Sequence, residues 1–110
     1  MSFTTWLKSL FSHRGKALSQ YRSGMAKASQ RDYAGAVADY SAAIEASQIP
    51  IDVKAMALYN RALAYSAMGE DAKAAEDLAT VLAIPELPEN IKTAAQQRRE
   101  RIRRRNEETE

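Results

Sequence analysis

A shift of 38 residues lays this chain on itself. It superposes residues 17–45 on 55–83 and pairs Ala17 with Ala55, Tyr21 with Tyr59, Ala26 with Ala64, Ala34 with Ala72, Ala36 with Ala74 and Asp39 with Asp77. Leu18 with Met56, Met25 with Leu63, Asp32 with Glu70 and Ile44 with Leu82 are conservative pairs at the same offset. Six identities in 29 positions carry little weight in an alanine-rich chain. Both copies, however, also read as helix, short turn and helix at the same offsets. A period of roughly 20 to 50 residues points to a stack of small units, none of which buries its apolar face alone.

Composition narrows the units to helices. Alanine and other strong helix formers dominate, and the breakers are few: four Gly and three Pro in 110 residues. This length suits one small domain, and the expected class is all-α. There is no cysteine, so disulfides and thiolate metal sites are excluded. His13 is the single histidine, on an expected terminal helix with no acid near it in the sequence. Glu70/Asp71 and Glu76/Asp77 read as a helix start and an exposed face, and no Gly-rich phosphate loop occurs. Neither catalysis, a metal nor a cofactor is expected.

Helical periodicity predicts six helices. The first covers residues 2–13, where Phe3, Trp6, Leu7, Leu10 and Phe11 form one apolar stripe and Gly15 is the expected stop. A second runs from Lys16 to Ser29. A third, capped by Asp32, runs from Tyr33 to about Ala46, and a fourth, capped by Asp52, from Val53 to about Met68. Gly69 fits the left-handed position past a helix end, and Glu70 and Asp71 open a fifth helix reaching about Ala83. Pro88 suits the first turn of a sixth, with Ile91, Ala95 and Ile102 as its buried stripe.

The second copy, "LYNRALAYSAMGEDAKAAEDLATVL", resembles the tetratricopeptide repeat family. Leu58, Ala62, Tyr65, Gly69, Ala74 and Leu78 match the family's large, small, aromatic and turn positions, and Pro85 lies one residue from its closing proline. In the first copy Gly24, Ala36, Tyr40 and Ala43 match. Gln20, Lys27 and Arg31 depart from the pattern, Arg31 standing at the turn glycine. The loop at Ser47–Asp52 lengthens the family's usual 34-residue period by four. The resemblance implies antiparallel helical hairpins in a short tetratricopeptide-like α-solenoid. Its parts would be an amphipathic helix over 1–15, two repeats within 16–86 (about 16–49 and 53–86), and a basic capping helix with an acidic tail over 87–110.

The family binds peptides or helices on the inner face of each repeat's first helix. Carried over by position, that groove comprises Tyr21, Arg22, Met25 and Ser29 with Tyr59, Asn60, Leu63 and Ser66. Only Asn60 matches the polar clamp with which some members hold a C-terminal carboxylate, so the expected partner is a protein with a hydrophobic or helical segment. The resemblance implies an adaptor or scaffold module.

The two ends are basic and the middle is acidic. Residues 1–31 carry six Lys/Arg and no acid, residues 32–97 ten acids against four bases, and residues 98–110 six Arg against four Glu. The apolar stripe leaves several roles open: packing on the first repeat, docking in the protein's own groove, lying in a membrane surface, or pairing two copies through Phe3, Trp6 and Phe11. Phe3 to Phe11 is far shorter than the roughly 20 apolar residues of a membrane span, and the features of a secretory signal are missing. A cytoplasmic protein is expected, although the acid-free start also resembles an organelle transit peptide. At the other end Arg98, Arg99, Arg101, Arg103, Arg104 and Arg105 form a basic patch able to meet phosphates. Glu100 stands three and four residues before Arg103 and Arg104, the spacing of solvated ion pairs, so a nucleic-acid partner is not the expectation.

Overall fold

Long helices joined by turns with a left-handed residue account for nearly all of the chain. The computed structural model describes residues 2–109, with side chains described outside 6–14 and 109. The helices are α1 (Phe3–Ser29), α2 (Tyr33–Glu45), α3 (Ile51–Ala67), α4 (Asp71–Leu82) and α5 (Glu89–Thr109). There is no strand among the described residues.

Among the described residues there are five helices where periodicity predicts six, because α1 runs unbroken through Gly15. A Cβ at Gly15 would meet nothing within 4 Å, and its φ is not left-handed. A glycine inside a helix costs only about 1 kcal/mol relative to alanine, too little to stop a 27-residue helix capped by Ser2. The helix-stop expectation fails for that reason. The backbone of residues 3–14 therefore continues the first hairpin's helix and forms no separate helix of its own. The side chains of Trp6, Leu7, Leu10, Phe11 and His13 lie outside the described residues, and Phe3 is 71% exposed. Asp52 is not a cap either. Pro50 holds that position in extended geometry, and its carbonyl accepts from the Lys54 amide at 3.0 Å. Asp52 instead sits in the first turn, at the positive end of the dipole.

The 38-residue offset recurs in the backbone. Arg31 (φ 65°) and Gly69 (φ 78°) both turn left-handed. After each, the next amide reaches back five residues: Asp32 to the Lys27 carbonyl at 2.9 Å, Glu70 to the Tyr65 carbonyl at 2.8 Å. That is a Schellman closure, which Arg31 makes at about 1–2 kcal/mol of steric cost and Gly69 without it. Asp32 then caps α2 through Gly35, whereas Glu70 offers no side-chain cap. Farther on, Gln48 (φ 56°) and Glu86 (φ 58°) share a second left-handed turn. Pro50 and Pro88 follow at the same spacing, each accepting from the amide four residues on at 3.0 Å. The longer inter-hairpin loop is therefore common to both copies.

Packing repeats as well. One buried cluster joins Tyr21, Ala36, Tyr40, Ala43, Ala57 and Ala64. The other contains Ala74, Leu78, Val81, Ala95 and Ile102 with Tyr59 packed against it, each 38 residues after its counterpart. In both, a hairpin's second helix is covered by the next hairpin's first. The helix α5 takes that covering role through Ala95 and Ile102, as its sequence stripe predicts. Two helical layers give a molecule of 60 × 31 × 18 Å.

The layers meet where side chains are smallest. A Cβ on Gly24 would lie 2.6 Å from Tyr40 Cε1. The same crossing in the second hairpin pairs Ala62 with Leu78, both fully buried. The residue at one position thus sets the size of the other. Gly24→Ala should gain about 1 kcal/mol of helix propensity but lose about 1–3 to overpacking. Urea denaturation should show net destabilisation for Gly24→Ala alone, and Tyr40→Leu together with it should show a favourable coupling of about 1–2 kcal/mol. Additive effects would mean that Tyr40 does not limit the approach.

Candidate partner-binding face

Two hydrogen bonds tie the first helices side by side. Asn60 Nδ2 donates to the Tyr21 hydroxyl at 3.0 Å, joining α3 to α1, and to the Met56 carbonyl at 2.9 Å. Arg105 Nη2 donates to Ser66 Oγ at 3.1 Å, joining α5 to α3, while the same guanidinium pairs with Asp71. Both links span 39 residues, so α1, α3 and α5 stand in one register and form one layer.

Among the residues one to three turns from these links, those that are not buried form one open face on each helix. On α1 this face presents Leu18 and Met25, on α3 Met56, Leu63 and Ala67, and on α5 Ala94, Arg98 and Arg101. Met25 and Met56 are exposed large hydrophobics (46% and 40%) on a face where Leu63 is half-buried. Methionine's flexible thioether suits surfaces that adapt to a partner.

The eight groove residues named from the sequence divide. Arg22, Met25 and Ser29 are exposed, and Ser29 caps its own helix end through the Ala26 carbonyl at 2.7 Å. Asn60, Leu63 and Ser66 are half-buried at the seams between helices. Tyr21 is 7% exposed, its ring 5.9 Å from that of Tyr40, and so is a core residue whose hydroxyl alone reaches the seam. Tyr59 is half-buried against the second core cluster. Met56, Arg98 and Arg101 are absent from that sequence-derived groove. Extending the 38-residue period one step further, from Asn60 to Arg98 and from Leu63 to Arg101, finds both arginines.

The six C-terminal arginines are not one patch. Arg103 pairs with Glu100 and Glu107, Arg104 with Glu100, and Arg105 with Asp71. Arg98, Arg99 and Arg101 have no ion pair or hydrogen bond among the described residues. Charge also sorts by layer. Helix α1 has five Lys/Arg and no acid, and α5 is basic, whereas α2 and α4 carry Asp39, Glu45, Asp71, Glu76 and Asp77 against Lys73 alone. The basic ends and acidic middle of the sequence become a basic layer and an acidic one.

Among the described residues, no three His, Cys, Asp or Glu side chains stand close enough to hold a metal ion. Nor is any helix among them long and apolar enough to cross a membrane.

Burial pushes the phenols of Tyr21 and Tyr40 above the ordinary tyrosine value. The Asn60 hydrogen bond opposes this at Tyr21, and the neighbouring Tyr21 and Asp39 add to it at Tyr40. Above about pH 10 the unfolded chain releases these protons before the folded one, so the unfolded state binds fewer protons and stability falls as pH rises. The urea midpoint should stay level to about pH 9 and drop above about pH 10, with a shallower drop in Tyr21→Phe. An equal drop in both proteins would exclude Tyr21 as a contributor. Comparison with protein-family models, with curated proteins and with solved structures finds no match for this chain.

Proposed function

We propose that this chain is a tetratricopeptide-like repeat module that acts as a noncovalent protein–protein adaptor, without catalysis. Two hairpins and a covering helix would form a short α-solenoid whose inner face, across α1, α3 and α5, holds a peptide or helix of a partner. The observation that carries this reading is the pair of exposed methionines, Met25 and Met56, flanking half-buried Leu63 on the layer joined by the Asn60–Tyr21 and Arg105–Ser66 bonds. Solvent-facing apolar side chains that gather on one face mark an interaction surface. Two hairpins are few for such a fold, and α5 supports the proposal by covering the second core as α3 covers the first.

Display selection of random peptides on the intact protein, counter-selected on Met25→Glu/Leu63→Glu, tests this. Enriched peptides should shift the amide resonances of residues around Met25, Met56 and Leu63. No enrichment, or shifts confined elsewhere, would defeat the reading.

Exposed Phe3 at the start of an acid-free helix favours a second reading, association with an anionic membrane surface through residues 3–14. In that case Phe3→Asp/Leu7→Asp should abolish co-sedimentation with phosphatidylserine vesicles. Absence of lipid binding by the unaltered protein removes this reading.

A further inference from the structure

The inner face is polarised, and its polarity says what should lie on it. Its α1 and α3 portion is apolar, through Met25, Met56 and Leu63. Its α5 portion carries Arg98 and Arg101, two turns and one turn before Arg105 respectively. Arg105 is neutralised by Asp71, and Arg103 and Arg104 by glutamates of their own helix. Arg98 and Arg101 form no ion pair among the described residues. Of the hairpins' acids, Asp39, Glu45, Asp71, Glu76 and Asp77 lie on α2 and α4, in the other layer, Asp32 and Glu70 stand in the turns just before those helices, and Asp52 is at the start of α3.

We infer that this face receives an amphipathic helix of a partner protein, with its apolar stripe on Met25, Met56 and Leu63 and acidic residues at its C-terminal end against Arg98 and Arg101. The inference rests on the adaptor reading above and adds the occupant's chemistry and direction. Charge complementarity selects the acids. The negative end of the occupant's helix dipole selects the direction, since it adds to the attraction at the arginines. Three first helices packed at about 8–10 Å span roughly 20 Å, the length of a helix of about 14 residues. The protein's own N-terminal stripe in a second copy is disfavoured, because it brings Lys8, Arg14 and Lys16 and no acid. Nucleic acid is disfavoured because the face presents no exposed aromatic ring for stacking among the described residues: Tyr21 is in the core and Tyr59 half-buried.

Fluorescence anisotropy with three labelled peptides on the full chain tests it. All share a Leu/Met stripe over about 14 residues. One ends in three Glu, one in three Lys, and one in three Gln. The Glu peptide should bind about tenfold or more tighter than the Gln peptide at low salt, lose that advantage at high salt, and exceed the Lys peptide further. In Arg98→Glu/Arg101→Glu the preference should invert in favour of the Lys peptide, while Arg103→Gln should leave it unchanged. Circular dichroism of each variant confirms the fold. Equal binding of all three peptides, weakened by Leu63→Glu, would overturn the polarity while leaving the groove reading intact. No binding by any peptide overturns the inference, and the peptide selection then decides the groove reading by itself. Salt-sensitive binding of a single-stranded RNA, lost in Arg98→Glu/Arg101→Glu but unaffected by Leu63→Glu, would overturn the inference in favour of nucleic acid.

Discussion

The close approach of the two helices in each hairpin is the constraint on which the rest depends. In the first hairpin Gly24 lets α1 lie against the Tyr40 ring. In the second, Ala62 and Leu78 fill the same space with the volume divided differently. Ala36 and Ala74 are fully buried on the opposing helices. Other large residues stand on the flanks of the crossing, where they meet the neighbouring helix: Tyr21 with Ala57, Val81 with Ala95. Intimate packing within a unit thus leaves apolar surface to be covered between units, and the chain stacks. A bulkier crossing would push the helices apart and open both clusters.

Polar contacts at equivalent positions then fix how each pair is rotated, and here the two hairpins differ. Arg61 donates twice to Asp77, at 2.8 and 2.7 Å, and reaches Ser41 on α2 at 3.0 Å. It therefore binds the second hairpin to the first. Asp77 is 5% exposed, and breaking a buried pair on one side costs about 3–5 kcal/mol. The Asp77 bond is also what holds Arg61 more firmly protonated than usual. In the first hairpin Ser23, the counterpart of Arg61, donates to Asp39 at 2.6 Å, and Lys27 supplies the charge at 3.0 Å. The Ser23 bond and Lys27 hold the Asp39 carboxyl below its ordinary value. Serine is too short to bridge outward as Arg61 does.

What the sequence discloses follows from where energy is concentrated. The repeat, the hairpins, the turn at Gly69, the Asp32 cap and the buried stripe of α5 each leave a local mark, either a small residue, a breaker or a period. Gly15 misleads because glycine signals a helix end only where a left-handed turn follows, and φ is not written in the residue. Arg31 misleads in the opposite sense: it adopts the glycine conformation because the Schellman bonds and the Asp32 cap around it outweigh its cost. Tyr21 reads as groove from its position and is core, because Gly24 leaves room for Tyr40 to pack beside it. The split among the C-terminal arginines is half legible. Glu100 announces its pairing with Arg103 and Arg104 by spacing, but the bond from Arg105 to Asp71 closes across 34 residues and appears only in three dimensions.

The last helix shows why the stack ends and where that leaves function. Continuing the period, α5 places Gln96, Glu100 and Arg103 where α3 has Leu58, Ala62 and Tyr65. These positions hold the second helix of a hairpin, and on α5 they are polar or charged. No further helix can bury itself there without stranding charge, so α5 covers what precedes it and faces water on the far side. At the other end Ser19 and Ala26 occupy the covering positions of α1 and are exposed. Growth is closed off by charge at one end and begins without a hydrophobic demand at the other. The exposed apolar side chains Met25 and Met56 are required by neither end, and both stand on the basic layer. A surface that folding does not need, placed where most acids stand in the opposite layer, is the surface that the proposed adaptor role would use.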